Sequence, residues 1–159
     1  MTPAVLIVSK SNITFEIHEY ASQGKSATTG HSWGSEAAEV LGVDSARVFK
    51  TIVLQVDASQ LCVGIVPVAS EVNLKALASA AGGKKAVLAP TDKAQRSTGY
   101  VLGGISPLGQ RQALPTFLDA SALEFATIFV SAGKRGLEIE LAGADLLTLT
   151  RGRAVPIAR

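Results

Sequence analysis

Val48–Phe49–Lys50–Thr51–Ile52–Val53–Leu54–Gln55–Val56, then Asp57–Ala58–Ser59–Gln60, then Leu61 to Val68, is the stretch on which the fold turns. Two β-branched, apolar runs around a polar break read as a strand, a turn and a partner strand. Alternation puts Val48, Lys50, Ile52, Leu54 and Val56 on one face of the first strand, and Phe49, Thr51, Val53 and Gln55 on the other. Pro67 brings no N–H to a ladder, so the end of the second strand is expected at a sheet edge. Lys50 opens an otherwise apolar face. Either its stem snorkels out to water, which pattern alone favours, or its amine enters a partly desolvated cavity. In a cavity it would attract a phosphate or a developing oxyanion, or lend a proton if burial lowered its pKa.

Working outward, Thr2–Pro3 is a helix start, an oxygen to cap free N–H groups followed by a residue with φ preset, and predicts a helix over about Pro3–Lys10. Asn12 ends it. Ile13 to His18 alternates as a half-buried strand does, with His18 on the polar face opposite Ile13, Phe15 and Ile17. The small, polar residues from Ala21 to Gly34 read as a mobile loop, after which Ser35 caps a helix over Glu36–Leu41, closed by Gly42. Asn73 caps a further helix through Ala81, stopped by Gly82–Gly83. A strand over Lys85–Leu88 and a helix from Thr91 to about Ser97 follow. Strands are predicted over Thr116–Leu118, Ala126–Ser131, Leu137–Leu141 and Ala154–Ile157, with a helix over Ala144–Thr150. Helices and strands mix without regular β-α-β alternation, which predicts an α+β fold with a mixed sheet. No repeat, linker or low-complexity run divides residues 1–159, so one domain is expected.

Composition sets the outer bounds. The chain has 159 residues, 47% of them hydrophobic and 18% charged, which excludes intrinsic disorder. Fifteen Lys and Arg against thirteen Asp and Glu give a formal charge of +2, too mild to advertise nucleic-acid binding by itself. Arg96, Lys134, Arg135, Arg151 and Arg153 are candidates for phosphate contact, provided the fold brings them to one face. The uncharged stretch Ser97–Gln110 holds four glycines and a proline and is shorter than the roughly 18–20 apolar residues of a membrane span. No basic segment precedes the apolar run Pro3–Val8, so it does not read as a signal peptide. One cysteine allows no internal disulfide, and a reducing, cytoplasmic setting is expected.

Several standard sites are missing from the sequence. Ser106 lies in Gly-Ile-Ser-Pro-Leu rather than Gly-x-Ser-x-Gly, and neither a P-loop nor a dinucleotide fingerprint occurs. Cys62 reads as a core thiol, His18 and His31 as surface or packing residues, and no metal or cofactor is expected. The glycine-rich segment Gly99–Gly109 is either a turn-rich hairpin or a backbone that approaches a ligand oxygen closely.

Five stretches in register carry a resemblance: Thr2–Pro3–Ala4–Val5, Val48–Phe49–Lys50–Thr51, Ala94 to Tyr100, Gly103 to Gln110, and Ser131 to Ile139. Together they resemble the YbaK/EbsC family of aminoacyl-tRNA deacylases, related to the editing insertion domain of bacterial prolyl-tRNA synthetases. The resemblance implies a compact α+β domain with a mixed, barrel-like sheet and peripheral helices. It implies clearance of mischarged proline tRNA, and Ala94–Gln110 most resembles the branch acting on Cys-tRNA(Pro). In that branch the substrate's own thiol attacks the ester. Carried over by position, Lys50 matches an essential lysine, Tyr20 a pocket tyrosine, and Gly103 and Gly104 the loop lining the acyl site. Glu138 stands where the cysteine-acting members carry aspartate, and the 21–33 loop is longer and richer in small residues. Arg96, Lys134 and Arg135 would contact tRNA, and transient association with prolyl-tRNA synthetase is expected. The alternatives are a water-using deacylase of Ala-tRNA(Pro) and a non-catalytic tRNA- or synthetase-binding accessory domain.

Overall fold

A computed structural model describes residues 1–21 and 33–159. Helix α1 (Pro3–Lys10) starts where Thr2 Oγ1 accepts the Val5 N–H, and it buries Ala4 and Val8. Strand β1 (Phe15–Glu19) and helix α2 (Trp33–Leu41) follow, and Gly42 closes α2 at φ +68°. The decisive hairpin is β2 (Phe49–Val56) with β3 (Gln60–Pro67), paired antiparallel from Phe49–Pro67 to Val56–Gln60. Its faces separate as the alternation requires: Phe49 and Val53 enter one buried cluster, Leu54 and Val56 another beneath α3 (Leu74–Ala80). Asn73 caps α3 by accepting the Ala76 N–H at 3.0 Å. Then come β4 (Ala86–Leu88), α4 (Thr91–Thr98), β5 (Thr116–Asp119), β6 (Ile128–Lys134), β7 (Leu137–Leu141), α5 (Gly143–Thr150) and β8 (Arg153–Val155).

Among the described residues the strands form two sheets, ordered β4-β2-β3-β5-β8 and β1-β7-β6. The pairs β3–β5 and β5–β8 are parallel and the rest antiparallel, so the larger sheet is mixed as expected. A bridge between Val48 and Phe129 links the two sheets. They do not close into a barrel, because β1 is an edge and β4 reaches β2 only at Leu54–Val56. Asp119 ties the last residues to this frame, its Oδ1 accepting the Ile157 and Ala158 N–H groups at 2.9 Å.

Several expectations change against this frame. Pro67 does close β3, but β3 is an interior strand; β5 pairs only with Val63–Ile65, which leaves the proline beyond that ladder. In β1 the alternation fails at Ile17, which is 39% exposed, while His18 turns inward. The reason is the edge position: the face bearing His18 is covered by a cluster containing Ala37, Ala38 and Phe129, and its imidazole packs 5.3 Å from the Phe129 ring. Residues 99–109 form no hairpin. They make a loop whose Tyr100, Ile105 and Leu108 are buried, pinned by Tyr100 Oη donating to the Leu108 carbonyl at 2.7 Å. Helix α2 begins ahead of the expected cap. The side chain of Ser35, His31 and most of the expected 21–34 loop lie outside the described residues. Cys62 is buried in the core, where burial pushes its thiol up to about 11, so it stays protonated and structural.

Candidate active site

The site begins as a gap in a sheet edge. β4 pairs with β2 over Leu54–Val56, and Ala89 N–H extends that contact to the Val53 carbonyl. At the other end, the Val48–Phe129 bridge brings in β6. Among the described residues no strand covers Lys50 to Ile52 between them on that side. Backbone groups alternate sides along a strand, so the N–H and C=O of Thr51 point the same way as the Val53 carbonyl, into this gap. A cavity of about 230 Å³ fills it, lined by Tyr20, Phe49, Lys50, Thr51, Ile52, Leu102, Gly103, Ile105, Ser131, Arg135 and Glu138. The cavity runs past the strand edge, which explains why residues of both faces of β2 reach it.

Of the residues singled out in the sequence, Lys50, Tyr20, Gly103, Arg135 and Glu138 converge here. Lys50 is half-buried against the cavity rather than extended along an outer face. Gly103, at φ +89°, presents backbone to the cavity. Gly104 stands behind it: its N–H is donated to the Val101 carbonyl at 3.0 Å, and a Cβ there would lie 2.9 Å from Lys134 Cα. The cavity-facing backbone is therefore that of Gly103 alone among this glycine pair, and Gly104 sets how closely the loop abuts β6. Lys134 is exposed beside it without lining the cavity. Arg96 is apart, paired with Asp92 one turn away on α4 at 3.3 Å. Arg153 sits on β8, the opposite edge of the large sheet, donating to the Ala80 carbonyl. No single basic face gathers all the candidate cations.

Glu138 is the most unusual group in the cavity. It lies on the central strand of the small sheet, opposite His18 on one side and Ser131 on the other. Only 7% of it is exposed. Among the described residues no hydrogen bond or ion pair holds its carboxylate, and burial pushes its pKa up to about 8. Tyr20 donates its backbone N–H to the Gly136 carbonyl at 2.9 Å, and its phenol is pushed up to about 12 by burial first, then by the charges of Glu138 and Glu36. Folding therefore favours the neutral form of Glu138. Its contribution to stability is complete below its ordinary value of 4.5 and drains away as pH rises toward 8. Thermal denaturation should show this directly: between pH 5 and pH 9 the wild type should lose melting temperature relative to Glu138→Gln, which has no proton to give up. Parallel curves for the two proteins would show that the carboxyl is not desolvated.

Other cavity groups were not evident from the sequence. Thr51 carries a buried hydroxyl without a hydrogen-bond partner among the described residues, directly after Lys50. Ser131 Oγ accepts the Gly133 N–H at 3.1 Å, which leaves its own proton to donate. The signal available for both was adjacency, to Lys50 in sequence and to Glu138 across the sheet.

Close by on the same face of the small sheet, Glu16, His18 and Glu140 place ligand-type atoms within 4.8 Å of one another. Glu140 is already engaged, accepting from Thr127 Oγ1, from His18 Nε2 at 2.9 Å and from Arg47 Nη2 at 3.3 Å. Burial raises its pKa, but these hydrogen bonds and the His18 and Arg47 charges outweigh that and hold it below the usual range. A guanidinium on the carboxylate opposes a cation, so the cluster reads as a latch between β1, β7 and the segment before β2.

Among the described residues no helix is long and apolar enough to cross a membrane. The profile of the aminoacyl-tRNA editing domain matches residues 29–149. The proposed Cys-tRNA(Pro)/Cys-tRNA(Cys) deacylase EbsC of Enterococcus faecalis is 35% identical over 98% of this chain and 92% of its own length. Solved structures share the fold. A proposed trans-editing enzyme for prolyl-tRNA synthetase superposes at a TM-score of 0.83 with 18% identity, over 100% of this chain and 99% of the other. A hypothetical protein superposes at 0.85, also with 18% identity, over 99% of each chain. With the family profile covering most of the chain and a relative matched almost end to end, the protein belongs to the aminoacyl-tRNA editing domain family, whose members cleave aminoacyl-tRNA.

Proposed function

We propose that residues 1–159 act as one trans-editing domain that clears mischarged Cys-tRNA(Pro) by substrate-thiol-assisted cleavage of the aminoacyl ester. The observation that carries this reading is a cavity equipped for charge but not for nucleophilic attack. It holds a lysine, a positive-φ glycine backbone and a buried carboxyl, yet among the described residues no histidine or cysteine lines it. Among the described residues the hydroxyls of Thr51, Ser131 and Tyr20 have no imidazole in that lining to activate them. The similarity to EbsC supports cysteine as the acyl group.

In this mechanism the thiol sulfur attacks its own ester carbonyl. A C–S bond forms, the ester C–O bond breaks, and the thiol proton ends on the 3′-oxygen. The tRNA leaves with a free hydroxyl, and the cyclic thiolactone opens later in water. Lys50 and the Gly103 backbone stabilise the negative charge that builds on the carbonyl and leaving oxygens. Glu138 receives the α-ammonium: an incoming cation lowers the carboxyl's raised pKa, so ion pair and ionisation form together. Fixing the amine holds the thiol within reach of the carbonyl. The same reading places the protein in the cytoplasm, transiently associated with prolyl-tRNA synthetase, because so small a net charge holds tRNA weakly.

Deacylation of purified Cys-tRNA(Pro) and Ala-tRNA(Pro) tests it. Rapid loss of the cysteinyl ester with a stable alanyl ester is expected. Loss of the alanyl ester instead replaces thiol attack by water attack, and turnover of neither leaves a binding module.

A further inference from the structure

The cavity is small. Ligand pockets commonly measure roughly 300–1,000 Å³, and about 230 Å³ holds an aminoacyl group but not the nucleoside esterified to it. That nucleoside must lie outside the mouth. The mouth is not uniformly polar. Leu102 lines the cavity yet remains 50% exposed, and Val101 beside it is 66% exposed.

These side chains are held outward by their backbone. The Leu102 N–H is donated to Gln95 Oε1 of α4 at 3.1 Å, and the Val101 carbonyl accepts the Gly104 N–H at 3.0 Å. Below them, Tyr100 is anchored in the core. A turn fixed at both ends cannot fold its two aliphatic side chains inward. The chain turn carrying Lys134 and Arg135 abuts the same loop, because Lys134 Cα fills the space beside Gly104.

We propose that Val101 and Leu102 form a nucleobase platform, on which the 3′-terminal base of the substrate rests while its acyl group occupies the cavity. The proposal builds on the deacylase reading and adds a specificity element to it. Apolar surface against the face of an unstacked base is sequence-tolerant and suits a single-stranded 3′ end. The Lys134–Arg135 turn then lies where the phosphate following that nucleoside leaves the mouth. One continuous strip thus reads acyl group, base and phosphate in the order in which they occur along the substrate.

The test uses two small substrates, the cysteinyl 3′-ester of adenosine 5′-monophosphate and the same ester on the base-free sugar phosphate. Each buried aliphatic side chain supports about a tenfold difference in kcat/KM between them. The wild type should prefer the adenosine ester by at least that factor. Val101→Ser and Leu102→Ser should each reduce the ratio of the two kcat/KM values about threefold or more; a ratio cancels losses from folding or cavity shape. A wild-type ratio near one, or a ratio unchanged in both variants, overturns the platform. If the wild type cleaves neither ester, the Cys-tRNA(Pro) assay decides the deacylase reading, and adenosine 5′-monophosphate binding by calorimetry decides the platform by itself. Binding weakened in both variants supports it, and no binding, or equal binding in all three proteins, overturns it.

Discussion

Lys50→Ala is expected to slow deacylation about a hundred- to thousandfold, the effect of losing one preorganised oxyanion stabiliser, equivalent to about 3–4 kcal/mol of transition-state energy. Lys50 lines the cavity at the open stretch of β2, together with Leu102, Gly103 and Ile105 of the glycine loop. The backbone of β2 is held by its ladder with β3 through Val66, whatever side chain residue 50 carries. The loss should therefore fall on single-turnover rate, with the melting temperature little changed. Lys50→Arg keeps the charge but replaces a compact ammonium by a planar fork in a small cavity, and should recover only part of the rate. Retention of more than about a tenth of the wild-type rate by Lys50→Ala would remove the lysine from the centre of the mechanism.

The largest stability effect is expected at Gly109→Ala. Gly109 sits at φ +69°, and a Cβ there would lie 2.7 Å from the carbonyl carbon of Pro3 and 2.9 Å from the Ala4 nitrogen. Both the left-handed backbone and the close approach to another chain segment's backbone require glycine. The neighbour is the first turn of α1, fixed by Thr2 and by burial of Ala4 and Val8, so it cannot yield as a flexible side chain would. A cost of about 3 kcal/mol or more follows, or a fall in melting temperature of roughly 6–12 °C for a domain of this size. Gly42→Ala provides the comparison, since it shares a positive φ (+68°) but nothing among the described residues lies within 4 Å of its Cβ position. It should cost about 1 kcal/mol. Equal destabilisation of the two would mean that backbone conformation, not crowding against α1, makes glycine necessary at 109.

What could be read from the sequence was local. The β2–β3 hairpin, the Asn73 cap and the Thr2–Pro3 helix start each depend on a few neighbouring residues, and each formed close to the expected positions. Ile17 and His18 misled because alternation assigns faces without saying what covers them, and α2 covers the second face of the small sheet. The convergence of Tyr20, Lys50, Gly103 and Glu138 was not derivable from spacing, since it needs the register of β1 on β7 and the gap between β4 and β6. Alternation marked Lys50 and glycine content marked the loop, while Tyr20, Glu138 and the choice of Gly103 and Gly104 within the loop were reached through family resemblance. The resemblance could not tell Gly103 from Gly104, which differ in that Gly104 has its N–H already committed. Thr51 gave no sequence signal beyond following Lys50, because an unpartnered hydroxyl is a property of packing.

The small sheet has a kinetic consequence. β1 and β7 join residues as distant as His18 and Glu140, 122 positions apart, and Glu138 lies on that junction. The parallel pairs β3–β5 and β5–β8 likewise connect elements that are not neighbours along the chain. Closing loops of that length comes late in folding, after local hairpins and helices have formed. A nascent chain still missing β7 has Lys50 on its hairpin but lacks Glu138 and the strand on which β1 docks. The complete cavity therefore arises only with the longest-range pairing of the fold, and partly made or partly unfolded molecules lack the buried carboxyl that completes its lining.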